Sequence, residues 1–102
     1  MKYYVYIIFD WDGLPLYIGQ GQGDRWIMHE RSAANGKPGF MYDILREMQD
    51  AWMEIPKVKI HECLDGETAL KYEHALINAI GVMPNGPLTN KQVSLVSFHR
   101  SV

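Results

Sequence analysis

Five side chains in this 102-residue chain have the types from which a hydrolytic site is built: Tyr6, Tyr17, Arg25, His29 and Glu73. The first four lie close together in the sequence, in Tyr4-Val5-Tyr6, Tyr17-Ile18-Gly19 and then Gly21, Gly23, Arg25 and His29. Arg25 and His29 are four apart, so on a helix they point the same way. An arginine fork holds a phosphate through two parallel hydrogen bonds. Glu73 falls within an apolar helical stripe, where a carboxylate costs several kcal/mol unless it is paired, protonated or metal-bound. One carboxylate suffices for Mg²⁺ when phosphate and water supply the remaining ligands. A phenol beside such a cation activates water or passes a proton, once its pKa falls from about 10 toward neutrality, a change of about 4 kcal/mol. A cation and Arg25 would both pull in that direction. The residues also admit a plainer reading. Strand tyrosines usually pack, an Arg/His helical pair usually lies on the surface, and Glu73 would then close a partly buried ion pair with Arg25. The Gly-x-Gly before Arg25 lacks the full dinucleotide or P-loop pattern.

The elements that must position these groups follow from pattern. Residues 3–9 are β-branched or aromatic and predict a strand. Asp12-Gly13 supplies a hairpin turn, and residues 15–19 return. Alternation places Tyr4, Tyr6 and Ile8 on one face, with Tyr17 and Gly19 sharing a face of the second strand. Residues 20–23 read as a flexible exit. Asp24 is the expected N-cap of a helix over 25–33, and residues 35–39 form a loop. A second helix is expected over 40–53, with Met41, Ile44, Leu45, Met48 and Trp52 as its core stripe and Pro56 closing it. Residues 58–63 alternate as a third strand, pairing with the hairpin. Asp65-Gly66 leads into a helix over 67–81, with Ala69, Leu70, Leu76, Ile77 and Ile80 on its apolar side and Glu73 among them. Residues 83–87 form a loop leading to Leu88-Thr89-Asn90. The segment 91–102 reads as a short strand or as irregular chain.

Composition bounds the rest. The length and the large apolar fraction suit a single domain, 1–102, with one modest core. No apolar run approaches the ~20 residues of a membrane span. Lys2 followed by tyrosines lacks a signal-peptide layout, and the single Cys63 suits a reducing cytoplasm. The histidines and the cysteine show no zinc-ligand spacing. The net charge is −2, yet its distribution is uneven. Asp43, Glu47, Asp50 and Glu54 make an acidic stripe, whereas Arg25, Arg31 and Lys37 share a segment with fewer acids and are the candidate nucleic-acid contacts.

Taken in order, these residues resemble the GIY-YIG nuclease superfamily. Tyr4-Val5-Tyr6 stands at its Gly-Ile-Tyr motif, with Tyr4 in place of the glycine, and Tyr17-Ile18-Gly19 matches the second motif outright. Arg25 and His29 match the helix that follows, Glu73 the catalytic glutamate, and Leu88-Thr89-Asn90 the closing Asn motif. The resemblance implies an α+β domain with a small three-stranded antiparallel sheet flanked by about three helices. It also implies hydrolysis of DNA phosphodiesters with one Mg²⁺, or Mn²⁺, on Glu73. By the same analogy Tyr6 is the general base and Tyr17 orients the site. Arg25 binds the scissile phosphate, His29 assists by hydrogen bonding or proton transfer, and Gly19 and Asn90 support the site. Larger relatives carry a separate DNA-recognition domain. None is visible in these residues, so specificity would come from the domain, a homodimer or a partner. The alternative is a catalytically inactive domain of the same fold that binds DNA or protein.

Overall fold

A computed structural model describes residues 2–91. Its elements run β1 (Tyr3–Phe9), β2 (Pro15–Gly21), α1 (Arg25–Ala34), α2 (Phe40–Asp50), β3 (Lys57–Leu64) and α3 (Gly66–Ile80). The sheet has the order β2-β1-β3, with both pairings antiparallel, so the expected α+β architecture is observed. The tail from residue 92 onward lies outside the described residues.

The central strand is buried on both faces, and its alternation divides the protein into two layers. Tyr4, Tyr6 and Ile8 pack with Leu16, with Ala33 of α1 and with Met41, Leu45 and Met48 of α2. Val5 points the other way and packs with Ile18, with Ala69 and Ile77 of α3 and with Leu88. The sheet therefore lies between α1/α2 and α3. Among the described residues no helix is long and apolar enough to cross a membrane.

Four local expectations are corrected. Residues 20 and 21 are not a flexible exit: they extend β2, with Gln20 opposite Val5 and Gly21 opposite Tyr4. α2 stops at Asp50 rather than 53. Trp52 takes φ 61°, its N–H bonds Gln49 O at 2.9 Å, and Met53 N–H bonds Met48 O at 2.9 Å. This is a Schellman-type ending. It turns Met53 inward onto the core in the place expected for Trp52, and Trp52 is left 96% exposed. On α3, Leu70 also faces out and is 42% exposed, because it sits about 100° around the helix from Ala69.

The start of α1 is the fourth. Asp24 occupies the N-cap position, but its side chain makes no cap hydrogen bond. Tyr4 does this instead. Its hydroxyl accepts from Trp26 N–H at 3.1 Å and donates to Gly23 O at 2.6 Å. Tyr4 thus ties α1 to the central strand. Tyr4→Phe removes both bonds from a buried position and is expected to cost about 1–2 kcal/mol. The check is a urea titration, in which the midpoint should fall at unchanged slope. An unchanged midpoint would show that water replaces the hydroxyl without loss.

Candidate active site

The outer edge of β2 organises the site, because it is where the two layers meet. An edge strand presents unpaired backbone groups, and here the rest of the chain uses them. Thr89 donates to Leu16 O through both its N–H (2.8 Å) and its hydroxyl (2.9 Å). Asn90 clamps Ile18, accepting from its N–H at 2.9 Å and donating to its carbonyl at 2.7 Å. Two residues further along, the Gln20 backbone N–H faces the Glu73 carboxylate and favours its ionised form. The clamp and α3 thereby bring Asn90 and Glu73 to the strand that carries Tyr17 and Gly19.

Tyr6 and Tyr17 lie on the same face, as alternation requires. Tyr6 sits opposite Gly19 and Ile8 opposite Tyr17, with the two phenol rings 6.3 Å apart. Gly19 leaves the space that the Tyr6 ring fills: a Cβ there would overlap Tyr6 Oη and Cζ and approach Cε1 to 2.7 Å. Gly21 does the same for Arg25, whose own Cβ would lie 2.7 Å from a Cβ at that position.

His29 is the buried member of the α1 pair, 8% exposed. Its Nε2 is 2.8 Å from Tyr6 Oη and its Nδ1 is 3.2 Å from Tyr42 Oη. Tyr42, contributed by α2, was not among the residues singled out from the sequence. Its only signal there is its type, since its contact with His29 is made by packing between two helices. Burial, reinforced by Arg25 and Lys37, lowers the His29 pKa to about 4. The ring is therefore neutral at pH 7, one nitrogen donating and the other accepting.

Glu73 is partly buried, with 18% side-chain exposure. Desolvation raises its pKa to about 7, against the opposing pull of Arg25 and the Gln20 N–H. The Glu73–Arg25 ion pair of the plainer reading does not form. The one within reach of the carboxylate is to neighbouring His74, at 3.9 Å. Arg25 is exposed and, among the described residues, its side chain makes neither an ion pair nor a hydrogen bond. Its field nonetheless reaches Tyr6, Tyr17, His29 and Glu73.

The phenols run against the expectation of a pKa pulled toward neutrality. Burial holds Tyr6 well above the ordinary phenol range, and Tyr17 adds to this while Arg25 opposes it. Burial also raises Tyr17, followed by the adjacent Glu73 charge. Both are protonated in the metal-free chain. They differ in access. Tyr6 is fully buried, whereas Tyr17 lines a cavity of about 610 Å³ together with His29, Tyr42, Phe40, Glu73 and Asn90. No described residue hydrogen-bonds the Tyr17 hydroxyl.

The other proposed nucleic-acid contacts divide. Lys37 Nζ lies 5.0 Å over the Tyr42 ring, at the margin of the site. Arg31 is engaged elsewhere, 4.0 Å from Asp24. The acidic stripe keeps Asp43, Glu47 and Asp50 on α2, with Asp43 paired to Arg46, but Glu54 falls beyond the helix end. Among the described residues no group of three or more His, Cys, Asp or Glu side chains converges to hold a metal. The donor set is one desolvated carboxylate without a Lys or Arg partner among the described residues, facing a cavity wide enough for water and phosphate. It fits a hard cation such as Mg²⁺ that keeps most of its own waters, and does not fit zinc. Comparison with protein-family models, with curated proteins and with solved structures finds no match.

Proposed function

We propose that this chain is a metal-dependent endonuclease acting on DNA phosphodiesters. The observation that carries the reading is the convergence at the β2 edge: a desolvated carboxylate, a cavity-facing phenol and an arginine whose side chain is left without an ion pair or hydrogen bond among the described residues. Glu73 would hold one Mg²⁺ or Mn²⁺, which when bound supplies charge to polarise the phosphate and stabilise the leaving oxygen. Arg25 binds the same phosphate bidentately and offsets the charge that builds in the transition state. Tyr17 is the phenol that meets the attacking water, since its hydroxyl is uncommitted and the cavity reaches it. Tyr6, assigned the base by motif resemblance, acts one step back: it hydrogen-bonds His29 and packs beneath Tyr17. Asn90 and Gly19 hold β2 and the Tyr6 ring in place.

The test is purified protein with supercoiled plasmid and Mg²⁺, with EDTA and Glu73→Ala as controls. Nicking that needs both metal and Glu73 is expected. No nicking across several DNA structures would sink the enzyme reading and leave a DNA-binding domain, whose affinity still falls with salt. Arg25→Ala should lower turnover about 100-fold and weaken binding far less; an equal loss in both would make Arg25 a docking residue. Metal loading needs the carboxylate ionised, so nicking should rise with pH through about 7.

A further inference from the structure

Gln20 follows Gly19 on β2 and pairs with Val5, which places its side chain on the α3 side of the sheet. Its Oε1 is buried and has no hydrogen-bond partner, the only such side-chain atom among the described residues. An orphaned acceptor is costly to keep and calls for a missing donor, water or ion. The same residue directs its backbone N–H at the Glu73 carboxylate, so the orphaned oxygen belongs to the β2 residue whose backbone meets the proposed cation ligand. Among the described residues the nearby cationic side chain, Arg25, satisfies neither oxygen. Both are hard oxygen donors of the kind Mg²⁺ and Mn²⁺ accept.

We propose that the Gln20 side-chain carbonyl is a second oxygen ligand, direct or through one water, for the divalent cation held by Glu73. The inference rests on Glu73 as a cation ligand, not on hydrolysis of DNA. A neutral amide oxygen adds a donor without adding charge, so the cation keeps a net positive field toward an incoming phosphate. It also ties the cation to β2 as well as α3, and so to the strand that presents Tyr17.

The experiment is titration of the full chain with Mn²⁺ alone, without DNA, following free Mn²⁺ by electron paramagnetic resonance. Stability in EDTA is measured alongside. The wild-type chain should bind Mn²⁺, Gln20→Leu should bind about tenfold more weakly, Gln20→Glu should bind at least as tightly as wild type, and Glu73→Ala should lose binding. In EDTA, Gln20→Leu should be as stable as wild type or more so, because it removes an unsatisfied buried acceptor. A purely structural amide predicts the reverse, a loss of stability with unchanged Mn²⁺ affinity, and that result overturns the inference. So does a wild-type chain that binds no Mn²⁺. Binding with the stated dependence but an intact plasmid would support the cation site and sink the nuclease reading alone.

Discussion

Replacing Glu73 with Gln is expected to abolish nicking and, in EDTA at pH 7, to stabilise the chain. The native carboxyl titrates near 7 rather than at 4.5. A group with a raised pKa binds its proton more tightly folded than unfolded. Its ionisation therefore erodes stability as pH rises from about 4.5 to 7, by up to about 3 kcal/mol. His29 slopes the other way. Its folded pKa is about 4 against 6.5 unfolded, so stability is lost as pH falls through that window, again by about 3 kcal/mol. Between pH 4.5 and 6.5 the two slopes oppose each other and the wild-type chain should show a nearly flat profile. Glu73→Gln removes one of them, and its urea midpoint should climb steadily from pH 4 to 6.5. A flat profile in the variant would mean that His29 is not held neutral by the fold. Loss of function with gain of stability is the usual mark of a group kept for chemistry.

Gly19→Ala carries the second large effect. The added methyl would overlap the Tyr6 hydroxyl, and β2 cannot yield because Asn90 clamps the adjacent Ile18. The Tyr6 ring must move, which breaks its bond to His29. Overpacking of this kind costs about 1–3 kcal/mol, and the lost buried hydrogen bond adds about 1 more. His29 should then admit water, and its titration midpoint, followed by NMR, should move up from about 4 toward 6.5. Nicking should fall with it. A variant with wild-type stability and an unmoved His29 titration would show that the glycine is dispensable.

Much of this architecture is legible in residue order. Alternation groups Tyr4, Tyr6 and Ile8 on one face of β1, groups Tyr17 with Gly19 on β2 and separates Val5, because a strand has a period of two regardless of its neighbours. The pairing register, which sets Tyr6 and Tyr17 on the same side, comes from the folded hairpin. Glu73 is conspicuous on α3 for the same kind of reason, a charge on an apolar stripe. What escapes is decided by contacts between elements. Trp52 satisfies the helical repeat, yet the Schellman ending delivers Met53 to the core in its place. Asp24 is a good capping residue by type, but Tyr4 reaches the N–H first from the sheet. Tyr42 enters the site only because α2 lies against α1. Whether Arg25 would pair with Glu73 depended on the separation of two helices that no spacing in the chain reports.

The clamp on β2 has a consequence beyond the site. Thr89, Asn90 and Glu73 occupy the outward backbone groups of Leu16, Ile18 and Gln20, so that border of the sheet is closed to any incoming strand. The opposite border, along β3, pairs only inward with β1, and no described backbone group covers its outer side. The sheet is therefore polar in its capacity to grow. Another chain could extend it past β3, about 10 Å from β2 across the sheet, without passing over Glu73 or Tyr17. The border open to strand addition and the side that carries Glu73 and Tyr17 thus lie at opposite ends of one small sheet.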